Sequence, residues 1–427
     1  MVFKRPVVRV PFTSKYLRID YGSAPILGVI ILFATLSIGV DTIARGIIGS
    51  DGVKPYSILI LIMSLSYTCI SLDYTGFFEY VSLHVVGASR NSGRRLFAYL
   101  FLLTSFFTLF TNNDIVILTM TLIIFYFSKN AGIDPIPFLF AQFFAVNIMG
   151  MALYIGNPTN LVAADAYGLS FVEFARWMFF PSISAALSCL LLLWLVFRRR
   201  IPEKFKAPRI DPRSALRNRN GAIFGSIALA CTIFFMSLPV SRTGVPIWVM
   251  PLFFAILMFL HDIVSYRSGV SAILSRMPWK IAPFLIGLFI IVESLASGGW
   301  TDLFASRLSK ISGSLPTAVF GTCFLSSLTA GVMNNHPMTI LFVKAFQSPS
   351  FTFPSKLGPT LALIAGSNFG ANFTLIGALA GLMWAKILFD KGCSISFSEF
   401  SKYGFLIMPL VVSVTCLTLV AELMFWA

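Results

Sequence analysis

The sequence predicts an all-α polytopic membrane protein: an inverted repeat with two re-entrant hairpins and two broken transmembrane helices. Three observations carry this. Of 427 residues, 57% are hydrophobic and 11% charged, against about 25% charged in a soluble domain. Several segments reach the ~20 apolar residues that span a bilayer. Inside those segments, in corresponding places of the two halves, lie polar clusters that hydrocarbon tolerates only when they find partners. One set is Thr111-Asn112-Asn113-Asp114 with Gly156-Asn157-Pro158-Thr159-Asn160. The other is Met333-Asn334-Asn335-His336-Pro337 with Gly366-Ser367-Asn368-Phe369-Gly370-Ala371-Asn372-Phe373-Thr374.

The elements follow in order from hydropathy and charge. Residues 1–24 are a basic N-terminus holding Lys4, Arg5, Arg9, Lys15 and Arg18. No cleavable signal pattern precedes the first span. Short Lys/Arg-rich loops mark the cytoplasmic side, so the chain is expected to start there. The first span, 25–44, runs outward, and the second, 56–75, returns to a loop with Arg90, Arg94 and Arg95. Residues 96–127 are apolar except for the first asparagine cluster. As one helix they would measure about 48 Å at 1.5 Å per residue, too long for one crossing. A hairpin that enters from the cytoplasm and returns to it fits better. Residues 135–177 read as a span broken at Gly156-Asn157-Pro158, and 178–197 as the return. The first repeat is therefore 25–197.

Residues 198–220 form a basic cytoplasmic linker, with nine Lys/Arg in RRRIPEKFKAPRIDPRSALRNR. Residues 221–427 hold an extra span (221–239) and the second repeat, upside down. Its parts are spans at 246–261 and 281–298, a hairpin at 315–346 open to the outside, a broken span at 358–388 and a final span. Basic residues Arg267, Arg276 and Lys280 sit between the first two, and Lys386 and Lys391 flank the broken one. The spacing repeats as well. Gly76 precedes Asn112 by 36 residues and Gly299 precedes Asn334 by 35, each leading into an amphipathic segment. Inverted repeats with paired hairpins and broken helices are a transporter architecture.

The net charge of +15 is concentrated at the N-terminus and linker. That placement points to anionic lipid headgroups and not to nucleic acid. The six cysteines are scattered, with neither a disulfide framework nor metal-ligand spacing. A phosphate loop, a nucleotide fingerprint, HExxH and CxxC are all missing. The expected protein is a transporter and not an enzyme, with no cofactor beyond a coupling ion, H+ or Na+. An ion gradient or a separate ATPase would drive it.

Hairpin tips and helix breaks expose backbone N–H and C=O groups that no intrahelical bond uses. Each asparagine adds an acceptor and two donors. The candidate substrate or ion ligands are Asn112, Asn113, Asp114, Asn157, Thr159, Asn160, Asn334, Asn335, Asn368, Asn372 and Thr374. Inverted symmetry predicts that they converge on one midplane site. The plainer reading is that they only re-satisfy broken backbone; four clusters at repeated places favour function. Half-helix N-termini suit anions, C-terminal carbonyls suit cations, and asparagines suit a neutral hydroxylated solute. Asp114 is a coupling candidate and equally a helix cap. Glu293, in the apolar run IGLFIIVESLASGG, is a second buried-acid candidate, and His336 a pH-sensitive one. Asp73 reads as interfacial, and Asp165 as facing the cavity mouth. The remaining spans are candidates for a homodimer contact.

At these residues the chain resembles the arsenical pump membrane protein (arsenite permease) family of the ion transporter superfamily. SLDYTGFFEYVSLHV at 71–85 resembles its Leu-Asp-x-x-Gly-Phe-Phe-Glu-Trp stretch, and Asn113-Asp114 its hairpin pair. Tyr167-Gly168-Leu169-Ser170-Phe171-Val172-Glu173-Phe174 resembles a Phe-Gly-Leu-x-Phe-x-Glu-Tyr stretch, and Pro278-Trp279-Lys280-Ile281 and Met333-Asn334-Asn335 also match. The stretch 370–377 resembles Gly-Pro-Asn-Leu-Thr-Pro-Ile-Gly, with Ala371 and Leu375 replacing both prolines. The resemblance implies efflux of a small inorganic solute, arsenite or antimonite, across the plasma membrane. It also implies exchange for protons and optional coupling to a soluble ATPase. Gly156-Asn157-Pro158-Thr159-Asn160 looks more like the generic Asn-Pro-x-Asn of other superfamily transporters. A sodium/proton antiporter or an organic-anion symporter of dicarboxylate or citrate type is therefore the rival. A non-transporting receptor or scaffold, using the linker to bind a partner, is the reading from another class.

Overall fold

The computed structural model describes residues 7–9, 16–18, 20–49, 53–206, 211–238, 244–266 and 269–426. Of the basic residues read above, Lys4, Arg5, Lys15, Arg209 and Arg267 lie outside the described residues. Two short strands, β1 (Val7–Arg9) and β2 (Tyr16–Arg18), pair antiparallel with Val8 opposite Leu17. Everything else regular is helical. Among the described residues, nine helical segments, one of them the interrupted stretch Val270–Ser297, are long and apolar enough to cross a membrane by length and composition.

The first predicted span is two short helices, α1 (Ala24–Ala34) and α2 (Val40–Ile48). Residues 25–44 are thus not one continuous crossing. The Thr35 hydroxyl donates to the Ile31 carbonyl, Thr35 and Ser37 bond each other at 2.9 Å, and Leu36 holds φ at +57°. These local side-chain bonds compete with the helix ladder and end it. The helix α3 (Pro55–Tyr74) then crosses, and α4 (Phe77–Ala88) follows Gly76. Hairpin 1 is α5 (Gly93–Phe110) and α6 (Asn113–Ala131). The first broken helix is α7 (Ile136–Met149) and α8 (Pro158–Ala166). The chain turns at Gly168, φ +62°, and a capping box between Ser170 and Glu173 starts α9 (Phe171–Phe197). The expected boundary at 177/178 therefore falls earlier, because Ser170-x-x-Glu173 is a helix-start signal.

The second half opens with α10 (Arg219–Met236), α11 (Val249–Tyr266) and α12 (Val270–Arg276). It continues with α13 (Ile281–Ser297), α14 (Trp300–Ile311) and hairpin 2, made of α15 (Leu315–Met333) and α16 (Asn335–Gln347). The second broken helix is α17 (Leu357–Phe373) and α18 (Leu379–Asp390), and α19 (Phe397–Trp426) closes the chain. The inverted repeat is thus present with both hairpins and both breaks.

Packing sets the layers. The helices α7 and α17 are buried on all sides, as helices apolar all round must be. The hairpins and the long helices α9 and α19 surround them. The leading helices are exchanged between halves: α1 and α2 pack on α13, while α11 and α12 pack on α3. Ile223, Ile227, Phe253, Ile256 and Leu260 of α10 and α11 stay exposed, a lipid-facing surface.

The tightest pairing is α15 on α17. It uses Gly366-x-x-x-Gly370, the spacing that lets membrane helices approach closely. A Cβ at Gly366 would collide with the Ser326 hydroxyl, and one at Gly370 with Ala330. Gly370→Leu is therefore expected to destabilise the fold by about 1–3 kcal/mol or more. Thermal unfolding in detergent checks this, with Gly313→Leu, where a Cβ meets nothing, as the neutral control.

Candidate functional site

Each hairpin tip docks on the break of its own half. At tip 1 the Asn112 side chain accepts from the Asp114 N–H at 3.0 Å, capping α6. The next N–H, of Asn113, donates to the Gly156 carbonyl at 3.2 Å. At tip 2 the Asn334 side chain accepts from the His336 N–H at 3.2 Å, and the Asn335 N–H donates to the Gly377 carbonyl at 2.9 Å. The two arrangements match residue for residue. Asn112 corresponds to Asn334, Asn113 to Asn335, Asp114 to His336, and Gly156 to Gly377. Close approach explains the glycines. A Cβ at Gly156 would strike the Gly150 carbonyl, and one at Gly377 the Gly370 carbonyl.

The breaks are held to each other by side chains. The Asn157 side chain caps α8 by accepting from the Thr159 N–H at 3.2 Å, and its amide donates to Asn368 Oδ1 at 2.9 Å. Asn368 donates to Asn160 Oδ1 at 2.9 Å and to the Ile364 carbonyl. Asn160 donates to the carbonyls of Gly150 and Leu153 at 2.7 and 3.0 Å, which the break in α7 frees. Thr159 and Ser367 share a hydrogen bond at 3.0 Å. Asn147 donates to Asn372 Oδ1 at 2.8 Å, and the Thr374 hydroxyl donates to the Gly331 carbonyl.

The predicted residues are thus not all brought together. Asn157, Thr159, Asn160 and Asn368 form one buried network between α7, α8 and α17, Asn372 pairs separately with Asn147 on α7, Thr374 bonds the Gly331 carbonyl, and Asp114 lies in the first turn of α6. Asn112, Asn113, Asn334 and Asn335 form the tips that dock beside that network. Ser367, bonded to Thr159, and Asn147, bonded to Asn372, are not among the sequence candidates. Their signal was present: a lone asparagine in the apolar run of α7, and a serine beside Asn368.

Several buried polar atoms have no hydrogen-bond partner among the described residues. They include Asn113 Oδ1, both side-chain polar atoms of Asn335, and His336 Nε2. Asn113 is 3% exposed and Asn335 1%. Such groups cost about 1–3 kcal/mol each when unsatisfied. Asn334 also holds φ at +79°, uncommon for a residue with a side chain. Asp114 lies in the first turn of α6, where a carboxylate favours the helix dipole. The N-cap itself is Asn112, so capping is not Asp114's task.

The other candidate acid is engaged elsewhere. Glu293 on α13 pairs with Arg45 of α2 and with Lys344 of α16, both at 2.9 Å. Asp73, at the corresponding end of α3, pairs with Arg276 of α12 and accepts from Thr119 of α6 at 3.0 Å. Each hairpin is thus tied by a carboxylate to its scaffold helix and to an exchanged leading helix. Asp165 accepts from the Lys54 N–H at 3.1 Å. Among the described residues, no group of three or more His, Cys, Asp or Glu could hold a metal ion.

The chain matches the citrate transporter family over residues 17–357. It is 29% identical over 363 residues to an arsenical pump membrane protein of Escherichia coli, covering 83% of each chain. It is 28% identical over 359 residues to a 46 kDa membrane protein of Mycobacterium leprae, covering 82% of each. The crystal structure of the Alcanivorax borkumensis YdaH transporter shares the fold, with a TM-score of 0.59 at 14% identity. It covers 99% of this chain and 94% of that one.

The network predicts a measurable coupling. Asn157→Ala and Asn368→Ala each remove one partner of the same bond. A double-mutant cycle on thermal stability is expected to give an interaction energy near the average of about 0.6 kcal/mol for polar pairs between membrane helices, and up to about 1.7 kcal/mol. Strict additivity would mean the two side chains do not interact.

Proposed function

Because the chain belongs to the citrate transporter family, a family of secondary transporters and not of enzymes, we propose that it exports trivalent arsenic or antimony in exchange for protons. The observation that carries this reading is the matched pair Asn113 and Asn335. Both are buried at equivalent places on opposite hairpins, with side-chain atoms that nothing among the described residues satisfies. An asparagine offers donor and acceptor together, which suits a small neutral hydroxide. Cys69 touches the Asn112 backbone at tip 1, but one thiol is not a chelating cluster, so the cargo is handled through hydrogen bonds and not a set of thiolate bonds. The arsenical pump relatives supply the choice of element. Family membership sets aside the non-transporting scaffold.

Asp114 is the coupling residue of this proposal. It sits where the other half carries His336, next to Asn113, and no ion pair is formed by its carboxylate among the described residues. Glu293, held by two cations, serves instead to tie hairpin 2 to α13. The protein lies in the plasma membrane with the N-terminus and basic linker on the cytoplasmic side, following the placement of Lys and Arg. That side is also where a soluble ATPase would attach.

A second reading, symport of an organic anion, has its own support. The helices α6, α8, α16 and α18 all begin at the tips and breaks, and four helix N-termini suit an anion. The matched family is one of citrate transporters.

Growth of an efflux-deficient bacterium on arsenite, with and without the gene, tests the first reading. Resistance is expected; unchanged sensitivity together with citrate flux in proteoliposomes would replace it by the second. Asn113→Ala and Asn335→Ala should each weaken apparent substrate affinity by about 3- to 10-fold, the loss of one hydrogen bond. Asp114→Asn keeps size and hydrogen bonding but cannot titrate. Proton-driven uptake into everted vesicles should fall by about tenfold or more, and its pH dependence should flatten. Retained proton coupling in a folded Asp114→Asn protein would assign Asp114 no part in coupling.

A further inference from the structure

An apolar groove of about 430 Å³ runs between α10 and the first arm of hairpin 1. Phe106 and Phe110 of α5 form one wall, Ser226, Ala230 and Phe234 of α10 the other, and Phe77 of α4 one end. The opposite end is Thr111 at the hairpin tip, whose hydroxyl is already bonded to the Phe107 carbonyl at 2.8 Å. The groove therefore runs from a membrane face towards the midplane. Phe106 and Phe234 are 54% and 60% exposed, so it opens to the lipid side. Its walls offer almost nothing to a polar solute, which would lose its hydration on entry.

The length from Ser226 to Phe234 is about 12 Å at 1.5 Å per residue. The groove is open on its lipid side along that length, which matches a run of several methylenes of an extended hydrocarbon chain. Its apolar lining suits such a chain.

Charge identifies what the chain belongs to. The linker folds back over the groove's end. The Arg217 N–H donates to the Thr75 carbonyl at 2.9 Å, and Gly76 packs under the Ala215 carbonyl, immediately before Phe77. This places Arg213, Arg217 and Arg219 at the mouth. Arg219 is exposed and lies seven residues before Ser226, on the same face of α10. Three acids are near: Glu79 pairs with Arg217 at 3.5 Å, Asp73 pairs with Arg276, and Asp211 accepts from the Arg213 N–H at 2.9 Å, so the three arginines still leave the rim cationic. A cationic rim above an apolar channel complements a phosphate carrying an acyl chain.

We propose that this groove is a binding site for an anionic phospholipid, one acyl chain between α5 and α10 and the phosphate on Arg213, Arg217 and Arg219. The bound chain would lie along the hairpin arm behind the tip, on the side away from the asparagine network.

The test is native mass spectrometry of the purified full chain with phosphatidylglycerol and phosphatidylethanolamine. The wild type is expected to retain one phosphatidylglycerol in preference to phosphatidylethanolamine. Ala230→Trp fills the channel and should abolish retention. Ile227→Trp, on the exposed face of the same helix, should not. Arg213→Gln with Arg219→Gln should lower the preference for phosphatidylglycerol by about fivefold per arginine. Should Ala230→Trp fail to fold, Ser226→Leu narrows the same channel. Full phosphatidylglycerol retention in a folded groove-filled variant overturns the proposal. So does a dimer that the groove-filling change dissociates, because a second copy would then be the occupant. Loss of discrimination without loss of either lipid in the wild type overturns the headgroup assignment.

Discussion

A helix interrupted inside hydrocarbon must find new partners for the backbone groups it frees, and this requirement organises the protein. An unsatisfied peptide group there costs several kcal/mol. The two breaks, after α7 and after α17, are satisfied in the same way. The first free N–H of a hairpin tip donates to a glycine carbonyl of the break, Asn113 to Gly156 and Asn335 to Gly377. The glycines are required because the chain doubles back against its own carbonyl at both places. The asparagines are required because one short side chain can cap a helix and donate elsewhere at once. Asn157 does both, to Thr159 and Asn368.

Away from the tips, each hairpin is held by a carboxylate of its scaffold helix. Buried ions are tolerated when they are paired. Glu293 draws Arg45 and Lys344 together, and Asp73 draws Arg276 and Thr119. Because the leading helices are exchanged between halves, each carboxylate joins elements of both repeats. Hydrogen bonds hold the tips, an ion pair to Glu293 holds hairpin 2 and a hydrogen bond to Asp73 holds hairpin 1, while the small-residue stripe packs α15 on α17. The hairpins and broken helices therefore form one connected polar assembly within an apolar shell.

The symmetry is incomplete where chemistry would need it to be. Both tips present an asparagine with unsatisfied atoms, but the following residue is Asp114 on one and His336 on the other. The first lies in a helix turn that favours its charge. The second packs its ring against Phe284 at 5.5 Å, with Nδ1 3.2 Å from Asn334 Oδ1. Equivalent backbone positions thus carry unlike groups, and the two faces of the site are not interchangeable.

Hydropathy, charge placement and the recurrence of asparagine with glycine determined the membrane class, the inverted repeat, both hairpins and both breaks. These features are local: a polar cluster in an apolar run is costly wherever it sits, and its cost is visible in the sequence. The candidates Asn112, Asn113, Asn157, Asn334, Asn335 and Asn368 were legible for that reason. Three things depended on tertiary structure. The split of the first span at Thr35 turns on side-chain bonds too weak to outweigh an apolar run in a hydropathy reading. The capture of Glu293 by Arg45 and Lys344 joins residues far apart in the chain, so an acid that reads as free in sequence proves to be paired. The bond between Asn147 and Asn372 depends on which faces of two buried helices meet. That choice is made by close packing through Gly366 and Gly370, and helices apolar on every side carry no stripe from which to read it.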